Sequence, residues 1–405
     1  MTYYEELIPS KYYYFKKFRE LAEDDLEIIF TMAKDCPEGP RNVAKIAKKL
    51  SLSQQTVNYR VSRFDAKDLV RFRATINERL LGLTNFIVVA TVRPGLLYGS
   101  KKAGAVNAGT FLTCYPVWRL LKEVHGGSTH GFFVLYSIPP EKEKDLKLFL
   151  EELKKRRCVS KVDHFCEVTQ TYYNSPTLES YLTLMKAVEQ DRPVSFDWED
   201  WANSFDEAPE LALPEVSPAK PQTFSYEDLL VLFHLEKNLR EKFAAIGRSL
   251  GESSQRISKC YESILKRRLI SGCRFEIYPI DPVSSMHFTL KLEFVKRNGL
   301  RKFASHLNSV PYPIVYHKMV EEEALFVHFM VPAYEYFDFH NAFETMNRQR
   351  EIFRNLELYV GNFYSEFDNI ALYEAFSRKK NVWEVSFDTL CRSLKKLLEG
   401  TKFEF

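Results

Sequence analysis

The chain has 405 residues, beyond the ~250–300 at which a single hydrophobic core stops growing, so two or three domains are expected. A hydrophobic fraction of 45% and a charged fraction of 27% exclude large-scale disorder; no apolar run approaches the ~18 residues of a membrane span, and the opening "MTYYEELIPSKYYYFKKF" lacks the basic-then-apolar order of a signal peptide. The seven cysteines, an odd number without a C-x-x-C pair, indicate neither a disulfide framework nor a cysteine-based zinc site and lead us to expect a cytoplasmic protein.

Taken in chain order, the aromatic segment "YYYFKKF" (12–18) is expected to form a helix packed against the helix pair after it. "RNVAKIAKKL" then buries Val43, Ala44, Ile46 and Leu50 on one face. A three-residue turn, Ser51 to Ser53, leads into a helix whose apolar stripe is Val57, Val61 and Phe64, with Ser53 as its N-cap. "LVRFRATI" reads as the two-stranded wing after this pair. "TNFIVVATV" (84–92), "PVWRLLKEV" (116–124) and "GFFVLYSIP" (131–139) read as half-buried strands. The stretch from Gly95 to Pro116 is rich in Gly and Ala and is expected to be a loop. A long amphipathic helix, a further strand, and a tail with "VSFDW" (194–198) complete the first half. The proline-rich segment 206–223, without periodicity, is an extended linker.

The second half repeats the first at an offset of 200. Ala44/Ala244, Ile46/Ile246, Leu50/Leu250, Ser53/Ser253 and Leu69/Leu269 are identical. Strands at 285–295, 313–320, 324–332 and 355–367 alternate with helices at 299–307 and within 333–354. "VSFDT" (385–389) matches "VSFDW", and the aromatic residues of both tails, Trp198, Trp201 and Phe387, are expected to dock on their own sheets. Each unit therefore reads as helix–helix–helix, a wing, then β-α-β-β-α-β. The fold class is α+β: two repeats, each a winged helix-turn-helix followed by a ferredoxin-like βαββαβ regulatory domain. The expected boundaries are 1–80, 81–205, the linker 206–223, 224–280 and 281–405.

The net charge of +3 conceals its distribution. From Arg41 to Arg73 nine Lys/Arg face two Asp, for +7; from Lys237 to Arg274 ten face three Glu, again +7; between Ala187 and Glu215 nine acids face Arg192, for −8. Both basic islands coincide with the helix pairs. Gln pairs two-pronged with adenine, Arg with guanine or phosphate, and Lys with phosphate. The expected nucleic-acid contacts are Arg41, Lys45, Lys48, Gln54, Gln55, Thr56, Asn58, Tyr59, Arg60, Arg63, Arg71 and Arg73, with Gln255, Arg256, Lys259, Lys266, Arg267 and Arg268 in the second copy.

"VAKIAKKLSLSQQTVNYRVSRFDAKDLV" resembles the winged helix-turn-helix of the Lrp/AsnC (leucine-responsive, feast/famine) family through Leu50, Leu52, Ser53, Thr56, Val57, Arg60 and Val61. The resemblance implies an archaeal, sequence-specific DNA-binding regulator that reads DNA mainly through the first recognition helix. It implies a homodimer or an intramolecular pseudodimer, with a small-molecule effector held by the loop Val124 to Phe133, at His125, Gly126, Gly127 and His130. The corresponding "VEEEAL" (320–325) lacks the glycines. An RNA- or ribosome-binding factor, gripping phosphate through the same basic helices, remains the alternative. One branch resembling the family decarboxylates sirohaem, but isolated loop histidines are ordinary and the chain is read as a non-enzyme. No phosphate-cradling, metal-hydrolase or nucleophile-elbow motif occurs, so no cofactor, metal or membrane partner is expected.

Overall fold

Capping chemistry marks the helix boundaries. The computed structural model describes residues 4–93, 96, 108–127, 129–174, 177–190, 192–213, 220–320 and 323–399. A short strand β1 (Tyr4–Glu6) and helix α1 (Leu7–Phe18) precede α2 (Glu23–Lys34), α3 (Val43–Lys49) and α4 (Gln54–Lys67). The Ser53 hydroxyl accepts from the Thr56 amide at 3.0 Å and starts α4. Val57, Val61 and Phe64 are buried on its inner side. Strand β2 (Arg71–Ile76) follows, then β3 (Thr84–Thr91), a short α5 (Ala108–Leu112), β4 (Trp118–Gly126), β5 (Thr129–Ile138), α6 (Glu143–Lys155), β6 (Lys161–Asn174), α7 (Leu178–Glu189) and α8 (Trp198–Asn203). Most of the stretch expected to be a loop, 97–107, lies outside the described residues, as does 214–219 of the linker.

The second half supplies α9 (Tyr226–Lys237), α10 (Phe243–Leu250), α11 (Ser254–Lys266), β7 (Ile270–Glu276), β8 (Ser285–Phe294), α12 (Arg297–His306), β9 (Ile314–Met319), β10 (Ala324–Pro332), α13 (Tyr336–Arg350), β11 (Phe353–Asn369) and α14 (Phe387–Glu399). The two halves do not stand as separate repeats, and the expected fold class is corrected here. β6 runs antiparallel to β9, and β11 to β4. Because β11 also pairs with β8, the order β11-β4-β5-β3-β6-β9-β10-β8 closes into one eight-stranded antiparallel barrel, with β1 added at β11. The physical reason is edge satisfaction. An isolated four-stranded sheet would leave two rows of unpaired backbone groups, whereas the 14-residue β6 and 17-residue β11 each carry enough backbone to bond into the other half.

The wings are corrected in the same way. β2 pairs with β7, from Arg71 opposite Glu276 to Ile76 opposite Ile270, so a single two-stranded ribbon is shared by the halves. The helix pairs pack into one core that holds Ile46, Val57, Val61 and Phe64 together with Ile246, Ile257, Tyr261 and Ile264. Reciprocal contacts join them: Arg41 donates to the Glu241 carbonyl at 2.7 Å, and Arg240 donates to that of Pro40.

The tails cross over rather than docking on their own sheets. Trp198 and Trp201 are buried with Phe303, Phe339 and Phe343 of the second half; Trp198 Nε1 donates to Glu335 at 2.7 Å. Leu390 and Leu394 of α14 pack with Leu146, Phe149 and Leu153 of α6 in the first half. α1 contributes Phe18 to the shared helical core, and the Tyr14 hydroxyl donates to Asp68 at 3.0 Å. Among the described residues no helix is long and apolar enough to cross a membrane.

Candidate functional site

Along β8, His287, Thr289 and Lys291 alternate with Phe288, Leu290 and Leu292. Because successive strand side chains point to opposite faces, the apolar set packs under α12 and α13, and the polar set points into the barrel. β9 and β10 repeat the device with His317 and His328. A belt of Ile87, Val89, Phe133, Met319 and Phe326 fills the middle of the barrel. On the side facing the β2–β7 ribbon lies a cavity of about 410 Å³, lined by Asn85, Arg119, Lys122, His287, His317, His328, Glu366 and Asp368 from the barrel, by Arg274 and Glu276 from the ribbon, and by Glu78 and Arg79. An irregularity in β11 between Gly361 and Glu366 re-aims the strand so that Glu366 and Asp368 both reach this space.

Burial disfavours the protonated form of all three histidines. Burial pushes His317 down to about 3 and His328 well below its ordinary value, with Lys122 adding to the effect in both; burial also lowers His287 against the pull of Glu366. The Thr171 hydroxyl is hydrogen-bonded to Nδ1 of His317 at 2.8 Å, and that of Thr289 to Nδ1 of His328 at 2.8 Å. Phe133 stands edge-on to His328 at 4.7 Å and stacks on His317 at 6.1 Å. Each of these two imidazoles is thus held in one orientation with its Nε2 left over. The Nε2 atoms of His317 and His328, Asn85 Oδ1 and Glu276 Oε2 are buried without a protein partner, and all four residues line this cavity. Clustered orphan polar atoms mark where a ligand or solvent completes the bonding.

The charges around them are interlocked. Burial alone would raise the Glu366 carboxyl, but the ammonium groups of Lys11 and Lys122 outweigh it and hold the group well below the usual range; Lys11 Nζ lies 3.0 Å away and Lys122 Nζ 3.7 Å. Lys122 itself is lowered by burial despite Glu366. Asp368 accepts from Arg73 at 2.7 Å and from Arg274 at 3.2 Å. Arg119 is paired with Glu236 and stands 3.6 Å from Glu78. Arg79 donates to the Val168 carbonyl at 3.4 Å.

None of the residues expected to touch nucleic acid lines this cavity. Lys45, Lys48, Gln54, Gln55, Thr56, Asn58 and Tyr59 lie on the exposed side of the first helix pair, and Gln255, Arg256, Lys259, Lys266 and Arg268 on that of the second. The other cations are spent on the fold. Arg60 and Arg63 pair with the fully buried Asp25 of α2, and Arg267 pairs with Asp228 of α9 at 2.8 Å. Arg71 sits over the Tyr14 ring. Arg41 stacks on Phe243 at 4.3 Å. Arg73, only 1% exposed, donates to the Glu236 carbonyl at 3.0 Å, to Glu276 at 3.1 Å and to Asp368. His125, Gly126, Gly127 and His130 fall together at the β4–β5 turn, with the two histidines on the strand face that points away from the barrel interior. A Cβ on Gly126 would collide with the Leu358 carbonyl, so that glycine serves strand approach.

No family model matches the chain, and no curated protein does. Solved structures match in fold. A crystal structure of the siroheme decarboxylase NirDL is 13% identical with a TM-score of 0.53, covering 94% of this chain and 99% of that one. The same enzyme in complex with an iron-uroporphyrin III analogue matches with 13% identity, a TM-score of 0.52 and the same coverage. These whole-chain matches are to an enzyme, and they overturn the reading as an Lrp/AsnC-type DNA-binding regulator, the RNA- or ribosome-binding alternative, the nucleic-acid partners and the expectation of a non-enzyme.

Proposed function

We propose that the cavity binds a carboxylate-bearing iron tetrapyrrole and removes carboxyl groups from it. The observation that carries this reading is the pair of fixed, neutral imidazoles, His317 and His328, each turning an unpartnered Nε2 into a cavity ringed by Arg79, Lys122 and Arg274. The fold shared with a siroheme decarboxylase supports the same substrate class. In the reaction the bond to the carboxyl carbon breaks, carbon dioxide leaves, and the remaining carbon keeps the electron pair and takes up a proton. Guanidinium groups suit the first requirement, because their planar fork binds carboxylate two-pronged; Arg79 and Arg274 fill this role. The imidazoles orient the macrocycle. With its proton on Nε2, a histidine donates to a carboxylate; with the lone pair there, it meets iron. Lys122 is the proton source: burial has lowered its pKa, which makes the ammonium a better acid than an exposed lysine.

The test is to titrate the full chain with siroheme and with iron-uroporphyrin III, following the tetrapyrrole absorption, and then to search the products by mass spectrometry for loss of carbon dioxide. Saturable binding with product formation is expected. A His317→Ala/His328→Ala variant should shift the spectrum of the complex, and Lys122→Met should bind but turn over poorly. Absence of binding at tens of micromolar ligand, with the fold intact by circular dichroism, would overturn the reading.

A further inference from the structure

His125 and His130 are directly opposite each other at the end of the β4–β5 hairpin. They share the outward face with Leu121, Phe132 and Val134, whereas Val124 and Phe133 between them point into the barrel. Their rings converge: Nδ1 of His125 lies 3.2 Å from Nδ1 of His130. Two bonds of ~2.0–2.1 Å from imidazole nitrogens to a tetrahedral metal ion place those nitrogens about 3.3 Å apart, so the hairpin already holds this bite. The other nitrogen of His125 is also spoken for. Its Nε2 lies 2.9 Å from Glu123 Oε1, and Glu123 is buried. With the Nε2 proton held in a hydrogen bond that the carboxylate accepts, the lone pair is left on Nδ1, the arrangement in which an outer carboxylate orients a metal-binding histidine.

Access is open on the remaining side. His130 is exposed and the His125 side chain is 27% exposed. Gly127, at φ +55°, has nothing within 4 Å of where a Cβ would stand. His130 needs only to keep its proton on Nε2, toward solvent, to offer Nδ1.

We propose that the β4–β5 hairpin is a divalent transition-metal site in which Nδ1 of His125 and Nδ1 of His130 chelate one ion of the Zn²⁺, Ni²⁺ or Co²⁺ type, with Glu123 as the orienting carboxylate. Among the described residues no group of three or more His, Cys, Asp or Glu converges on a metal position; the site is therefore a two-histidine chelate whose other positions are filled by water, and it exchanges its ion readily. It is independent of the cavity.

The test is isothermal titration of the metal-stripped full chain with Zn²⁺, repeated with Co²⁺ while the visible spectrum is followed. One equivalent is expected to bind, and chelator is expected to remove it. His130→Ala, a change at an exposed position, should abolish this equivalent without altering the circular dichroism. Glu123→Gln should weaken it about 10–100-fold, while a His317→Ala/His328→Ala chain should bind as before. Failure of the unaltered chain to bind Zn²⁺, or binding that His130→Ala leaves intact, would overturn the proposal; failure of the tetrapyrrole experiment leaves it standing.

Discussion

At the residue scale, identical side-chain chemistry serves opposite ends in this chain. Lys48 and Arg73 belong to one basic island, but Lys48 is exposed and Arg73 is enclosed by Glu236, Glu276 and Asp368. Removing one partner of a buried ion pair leaves the others as uncompensated charge. Arg73→Met should therefore cost about 3–5 kcal/mol in urea unfolding, and Lys48→Ala should stay within about 0.5 kcal/mol. Equal and small effects would mean that the network does not hold the ribbon to the barrel. The histidines make the same point. Those conspicuous in the sequence, His125 and His130 beside a Gly pair, lie on the outer face. Those that build the cavity, His287, His317 and His328, are spread over three strands. A signal existed for one of them: "HFTLKLEF" from His287 puts a polar residue at every second position, the mark of a strand with one polar face.

At the element scale, the exchange of tails ties each half to the other. α14 lies on α6 of the first half, with Leu394 1% exposed. Leu394→Ala should cost about 2–5 kcal/mol through the cavity it leaves. Amide hydrogen exchange should then rise in α6 and remain unchanged in α12 and α13; the reverse pattern would show that the tail serves its own half. The helices and strands themselves were largely legible. Ser53 caps α4 because a hydroxyl satisfies an orphan amide locally, and the Val57, Val61 and Phe64 stripe follows from helical periodicity. The partner of an edge strand is not written locally. β2 carries the composition of a wing, and its pairing with β7 depends on where the other half of the chain lies.

At the scale of the whole molecule, stability should depend on pH through the barrel interior. His317 and His328 are held below their unfolded value of ~6.5, and His287 is lowered as well. The unfolded chain therefore takes up protons that the folded chain refuses. This contribution is complete above pH ~6.5 and is lost as the pH falls toward the folded values, by about 1.4 kcal/mol per pH unit for each histidine. Glu366 and Asp368, both depressed by their cationic neighbours, add a second loss below pH ~4. The urea midpoint should fall between pH ~7 and pH ~5, and His317→Asn/His328→Asn should flatten that slope. A midpoint indifferent to pH across this range would show that the imidazoles are not buried.

The individual helices with their caps and apolar stripes, and the individual strands, follow from the sequence alone, because each rests on interactions within about four residues. The barrel, the shared ribbon, the crossed tails and the cavity belong to the tertiary structure. Edge strands bond to whichever backbone is brought alongside, and a cation faces solvent or a buried carboxylate according to a neighbour far along the chain, as Arg73 faces Asp368 across 295 positions. Function divides in the same way. Two basic helix pairs read as a grip on phosphate; only the tertiary structure, which pairs Arg60, Arg63, Arg73 and Arg267 with buried carboxylates and gathers three histidines inside the barrel, points to an interior site.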